Sequence, residues 1–256
     1  MYIDVKANTN DGNDAVVRAT ALQKLYDEGY SVLSVSDVGT NNNPTDYVEL
    51  VASKNGQMRV FYTRLTPVSR ITVDGVSGWY EEGKTIANDT AATWAVYTSA
   101  QTLPVADSTG SPAGASSNGT GNVTVAFANH NNKYLYTDLY KVTVDSTAKW
   151  YQGGMKITGL KGSVYNLTGT ATDPMTVLSA GGELTVTPEL GGQTVYPFWT
   201  VKAGATTKYV ADGGNTTGLG LTSGEHYRTE SGEFVTATGT ETVSYTHLTL
   251  PTTPYV

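Results

Sequence analysis

The sequence predicts a mainly β protein with one N-terminal helix, and three observations carry that expectation. First, one stretch is written twice. Ile71-Thr72-Val73-Asp74, Trp79-Tyr80, Gly83 and Ile86 return 71 residues later as Val142-Thr143-Val144-Asp145, Trp150-Tyr151, Gly154 and Ile157. A fixed internal spacing of this kind marks repeated structural units. Second, short alternating segments broken by Gly recur through most of the chain, which is the mark of a small sandwich or barrel. Third, a helical period occurs only near the start. The full expectation is a small α+β unit followed by tandem β-sandwich, Ig-like repeats.

The α+β unit covers residues 1–66. Alternation at 2–5 predicts a strand, and the turn formers of 8–14 follow it. Asn13 is placed to cap a helix, and Asp14 suits the positive end of its dipole. Over 14–28 the apolar positions Val17, Ala21, Leu22 and Leu25 recur at three- and four-residue spacing, an amphipathic helix with Gly29 as its stop. Strands are expected at 30–35, 47–52 and 58–65, and Asn55-Gly56 between the last two is a strong hairpin signal. The helix then covers one face of a three- or four-stranded sheet, with Arg59 and Arg64 facing solvent. The run at 8–14 resembles an acidic calcium loop, but aligning Gly12 with the loop glycine leaves Ala7 where the first oxygen ligand belongs. A turn and helix cap is the better reading.

The first repeat copy spans 67–137 and the second 138–196, with a partial, diverged third unit at 197–242. Within the first copy, residues 107–122 are rich in Ser, Gly and Asn. They lack the apolar surface that ordering requires and are expected as a flexible loop rather than an interdomain linker. In the third unit Tyr209 stands near the register of Tyr80 and Tyr151, with no Trp before it.

Composition narrows the function. Of the 256 residues only 15% are charged, Gly numbers 28, Cys is absent and the net charge is −7. An acidic chain lacks the basic footprint that nucleic acid or an anionic membrane surface requires, and no run suits a membrane-spanning helix. Without Cys there is no thiolate metal site and no thiol nucleophile. His130 and His226 read as surface histidines in polar loops. No G-x-S-x-G elbow, H-E-x-x-H helix or phosphate loop occurs. Asp74 and Asp145 recur at one repeat position, which argues for a turn role over an acid pair. No catalytic residue, metal ligand or cofactor is expected, and the chain reads as non-enzymatic.

One candidate site remains. Trp79, Tyr80, Trp150 and Tyr151 could form flat platforms for sugar rings. Adjacent strand positions point to opposite faces, however, so one member of each pair belongs inward, and a repeated Trp in a small β unit commonly fills its core.

The "TVD…WYxxGxxI" phrasing, the Thr and Gly richness and the tandem arrangement resemble the β-repeat regions of large bacterial, Gram-positive-type cell-surface and S-layer-associated proteins. That resemblance implies an extracellular or cell-wall location and a role as spacer, scaffold or adhesive repeat. The partner would be a surface polysaccharide or another protein. Alternatives are a carbohydrate-binding accessory region of a surface glycan-acting enzyme, or a phage tail or fibre segment. Residues 243–252, Val-Ser-Tyr-Thr-His-Leu-Thr-Leu-Pro-Thr, look like translated transposon mosaic-end and sequencing-adaptor DNA. The tail 243–256 is therefore set apart from the fold, and His247 with it.

Overall fold

A computed structural model describes residues 1–8, 14–37, 46–203, 206–212, 226–228 and 234–236. The suspected calcium-like run and the tail 243–256 lie largely or wholly outside these residues. The chain is mainly β, as the sequence indicates, and forms two compact units. Unit 1 holds residues 1–101 and 114–137; unit 2 holds 102–113 and the chain from 138 onward.

Unit 1 begins with β1 (Tyr2–Asn8), α1 (Asp14–Asp27), β2 (Ser31–Asp37), β3 (Asp46–Lys54) and β4 (Gln57–Val73). The strand order is β2-β3-β4-β1, with β1 parallel to β4 and the other pairs antiparallel. Asn55 and Gly56 both take positive φ, 55° and 76°, in the β3–β4 turn, the left-handed pair that a two-residue hairpin of this twist requires. Helix α1 ends where Gly29 (φ 80°) allows the Gly29 N–H to reach the Tyr26 carbonyl and the Tyr30 N–H the Leu25 carbonyl. Together these bonds make a Schellman stop. Val17, Ala21 and Leu25 bury against Val5, Leu50, Phe61 and their neighbours on one face of the sheet, so the 3.6 period of the helix meets the 2.0 period of the strands as expected.

The expected boundary at 66/67 falls inside β4, a single 17-residue strand. Its second half forms a hairpin with β5 (Val76–Glu81). There follow β6 (Thr85–Ile86), β7 (Thr93–Tyr97), β8 (Val105–Ser108), β9 (Ser111–Pro112), β10 (Ser117–Thr120), β11 (Val123–Thr124), the short helix α2 (Phe127–His130) and β12 (Lys133–Val144). Within unit 1, β6 pairs β11 and β7 pairs β10. The start of β12 lies parallel to the end of β4, Lys133 opposite Ile71 and Leu135 opposite Val73. Ile71, Val96, Val123, Val125 and Leu135 form the core there, with Tyr80 and Ile86 packed against them.

Unit 2 matches the later part of unit 1, from the end of β4 onward, and not its helix-covered sheet. The elements are β13 (Thr147–Gln152), β14 (Lys156–Ile157), β15 (Val164–Asn166), β16 (Thr176–Val177), β17 (Leu184–Thr185), a 3-10 turn (Pro188–Leu190), β18 (Thr194–Ala203), β19 (Thr206–Val210), β20 (His226–Arg228) and β21 (Phe234–Thr236). The repetition reaches individual hydrogen bonds. In copy 1 the Gly83 N–H donates to the Val125 carbonyl and the Val125 N–H to the Lys84 carbonyl. In copy 2 Gly154 donates to Val186, and Val186 to Met155. The pairing β14–β17 repeats β6–β11, and the parallel pairing of β18 with β12 repeats that of β12 with β4.

Residues 107–122, expected as a flexible loop, carry strand instead. β8 and β9 form a small hairpin belonging to unit 2, and β10 pairs β7 in unit 1. The expectation weighed apolar burial alone. This segment is held by backbone ladders and by the Asp107 carboxylate, neither of which needs large apolar side chains.

Candidate functional site

The duplicated hairpins place the candidate aromatics in matching register. Arg70 lies opposite Trp79 in copy 1, and Lys141 opposite Trp150 in copy 2. Because side chains alternate along a strand, the neighbouring Tyr points the other way. Tyr80 packs against the unit 1 core, and Tyr151 is buried in unit 2. Both tyrosines therefore face inward, Tyr80 half-buried against the core and Tyr151 buried within it, and burial raises the pKa of the Tyr151 phenol.

The two tryptophans differ. Trp79 is 57% exposed, whereas Trp150 is 7% exposed. β8 runs antiparallel along the outer edge of β13, Val105 opposite Trp150 and Ala106 opposite Lys149. Asp107 then sits on the face that carries both Trp150 and Lys141. It accepts from the Trp150 indole N–H at 2.8 Å and from the Lys141 ammonium at 3.1 Å. Desolvation pushes the Asp107 carboxyl up, but the hydrogen bonds from Lys141 and Trp150 and the Lys141 charge outweigh it and hold the group below the usual carboxylate range. Trp150 and Tyr151 thus offer no open platform: one lies beneath an arm of the chain and the other in the core.

Around Trp79 the surface stays open. β5 pairs with β4 and with no other strand among the described residues. A groove of about 200 Å³ is lined by Arg70, Thr72, Ser77, Asn132, Lys133 and Tyr134. A second hollow beside it shares Arg70 and Ser77 and reaches Gly78 and Trp79. Gly78 is needed there, since a Cβ would stand 2.9 Å from the Tyr80 ring. The Arg70 carbonyl accepts from the Asn132 N–H at 2.8 Å, but neither the Arg70 guanidinium nor the Trp79 indole N–H has a hydrogen-bond or ion-pair partner among the described residues.

The remaining candidates take structural places. Asp74 and Gly75 form the β4–β5 turn with φ 48° and 83°, and Asp145 and Ser146 form the β12–β13 turn with φ 47° and 63°. Asp74 also accepts from the Thr137 N–H and hydroxyl at 2.9 and 2.6 Å. His130 is a correction: it is buried at the end of α2, not on a surface loop, and its Nδ1 accepts from the Ala126 N–H at 2.9 Å. Burial lowers its pKa, and the bond to Ala126 and the Glu82 charge oppose the shift only in part. His226 lies in strand β20 rather than a loop. Tyr209 pairs with Thr200, three positions past the start of β19. It therefore takes the place of Trp79 and Trp150, one position before the one the sequence suggested.

In unit 2 a cleft of about 480 Å³ lies between residues 159–163 and 177–182, with Trp199 on its wall. Lys161 is the one charged side chain lining it, and the Asp212 carboxylate ties Lys161, at 3.5 Å, to the Trp199 indole N–H, at 3.1 Å. Among the described residues no three His, Asp or Glu side chains come together to hold a metal ion, and no helix is long and apolar enough to cross a membrane.

Sequence reasoning missed Arg70, Lys141 and Asp107. The first two had a signal: a basic residue stands four positions before the turn Asp in both copies. No protein-family model, curated protein or solved structure matches this chain.

Proposed function

We propose that this chain is a non-enzymatic segment of a secreted or cell-wall-associated bacterial surface protein, serving as a spacer or scaffold of tandem β modules. The observation that supports this reading is the way one copy leads into the next. Strand β12 closes copy 1 with Lys133–Leu135 beside Ile71–Val73, then opens copy 2 with Leu139–Val144 in the next hairpin. β18 does the same for copy 2, pairing with β12 at Thr194 and continuing into the β18–β19 hairpin. A plan in which each module borrows the first strand of its successor extends without free linkers, and chains of such modules gain stability from neighbour to neighbour. The sparse charge, the Thr- and Gly-rich strands and the absence of Cys fit an exported chain of this kind.

The glycan-platform alternative retains Trp79 alone of its four residues, since Tyr80, Trp150 and Tyr151 pack inward or beneath the arm. A single exposed ring is a weak sugar platform, and the spacer reading is preferred.

Pulling the chain by its two ends in single-molecule force spectroscopy tests the proposal. Discrete unfolding steps that release module-sized lengths are expected. Smooth extension at low force would remove the spacer reading. Light scattering addresses the fibre alternative, which requires an obligate trimer.

A further inference from the structure

The basic–tryptophan pair can be followed through three successive hairpins. In the second, Lys141 and Trp150 hold the Asp107 carboxylate that β8 delivers. In the third, the equivalent positions are Thr200 and Tyr209, which are neither basic nor Trp. Copy 2 also has no counterpart of the β8–β9 arm. Thr93 and Thr120, which are paired, stand 27 positions apart, whereas Val164 and Val177, the matching pair, stand 13 apart. The receiving pair is thus present where an arm arrives and missing where the preceding copy has none to give. The first hairpin has the pair, Arg70 and Trp79, but among the described residues no arm lies alongside it.

We infer that the outer edge of β5, with Arg70 and Trp79, is a docking site for an acidic β-arm supplied by a separate polypeptide. The arm is an extended segment of the Val105–Ser108 type that adds as a strand to β5. Its apolar residue lies opposite Trp79, and a carboxylate two residues later, on the same face, meets the Trp79 indole N–H and the Arg70 guanidinium. Edge strands take up such segments through main-chain hydrogen bonds, and side-chain pockets set the choice of partner. Arg70 strengthens the carboxylate contact relative to Lys141, because guanidinium can bond both oxygens at once. Lys133 in the same groove gives it a local positive charge on a chain of net charge −7, which favours an acidic occupant. The inference rests on the modular reading above, since it takes the copy 2 contact as the pattern for copy 1.

The test uses the full chain and a synthetic peptide of residues 102–113, with the Asp107→Asn peptide as control. Calorimetry and Trp fluorescence follow binding. One-to-one binding is expected. It should weaken at least tenfold in Arg70→Ser and with the Asn peptide, and stay unchanged in Lys141→Ser. Trp79→Phe should keep the fluorescence of the other tryptophans and lose the response. All three substituted residues are at least partly exposed, and far-UV circular dichroism of each variant checks its fold before binding is compared.

A free peptide loses entropy on ordering, so a second form joins residues 102–113 to Met1 through a long Gly/Ser linker, which raises the local concentration. Protection of Trp79 from acrylamide quenching is then expected. The inference is overturned if neither form engages Trp79. It is also overturned if binding is lost in Lys141→Ser and kept in Arg70→Ser, which would mean exchange at β13. A soluble acidic polysaccharide that saturates Trp79 and that the peptide cannot displace would overturn it in favour of a sugar site. The force record is taken without peptide, so failure here leaves the spacer test untouched.

Discussion

In copy 2, Trp150 lies under β8 with its indole N–H on Asp107; in copy 1, Trp79 stands more than half exposed beside Arg70, with no second strand along the edge of β5 among the described residues. The hairpins share turn position, cross-strand register and the inward Tyr. What separates them is the 12-residue segment 102–113, which unit 2 takes in. A residue's role in this chain is therefore set less by its own motif than by whether a neighbouring segment covers it. Identical Trp-Tyr pairs yield one buried anchor and one open edge.

Substitution at the two tryptophans is the strongest way to break that comparison. Trp150→Ala should destabilise unit 2 by about 3–5 kcal/mol, the usual cost of emptying a large aromatic site. Trp79→Ala should change stability by no more than about 0.5 kcal/mol, as exposed substitutions do. Urea unfolding of both variants decides it. Equal effects would mean that Trp79 is covered in solution.

A smaller contrast lies in the charges. Asp107→Ala leaves the Trp150 N–H and the Lys141 ammonium without their acceptor and should cost about 1–3 kcal/mol. Hydrogen exchange should speed up across 105–112, because the ladder there is short. Arg70→Ser, with no bond to lose, should leave both exchange and stability unaltered.

Acid should reach the two units in sequence. Burial depresses the His130 pKa, so the unfolded chain binds a proton there more readily than the folded one. The stability this gives unit 1 is complete above the unfolded value of about 6.5 and is lost as pH falls through the lower folded value. Asp107, also depressed, contributes to unit 2 above the ordinary carboxyl value of about 3.9 and loses that contribution only below it. Unit 1 should therefore soften first on acidification. His130→Gln should flatten its profile below about pH 6.5, and Asp107→Asn should flatten that of unit 2 at lower pH. NMR titration of backbone amides in each unit checks the order.

The local signals carried the fold well. Asn55-Gly56, Gly29 and the period of Val17, Ala21 and Leu25 all stand where sequence reasoning puts them, and the repeated Trp-Tyr spacing falls on two matching hairpins that the sequence did not predict as hairpins. Each of these depends on neighbours in the chain or on alternation along one strand. The β8–β9 arm was illegible because it is ordered by backbone pairing with β13, a partner some forty residues away, and by one carboxylate. Neither leaves an apolar pattern. His130 was misread for a related reason: polar neighbours in sequence do not reveal that α2 turns its last residue inward. Half of the candidate site was legible. The aromatics announce themselves, while the role of Arg70 becomes visible only once cross-strand register is known.

The smallest expected effect compares the two turns. Copy 1 uses Asp74-Gly75 and copy 2 uses Asp145-Ser146, with positive φ at both residues of each. Gly adopts that region without steric cost, whereas an L side chain there is strained by roughly 1–2 kcal/mol. Ser146→Gly should accordingly stabilise unit 2, though by less than the full strain, because Gly also gives the unfolded chain more freedom. A net gain of about 0.5 kcal/mol is expected. Gly75→Ser, the reverse exchange in copy 1, should destabilise by a similar amount. Gly75 has open space around a would-be Cβ, so backbone strain alone is read. If the two exchanges fail to mirror each other, then the hairpins differ in more than the arm that covers one of them.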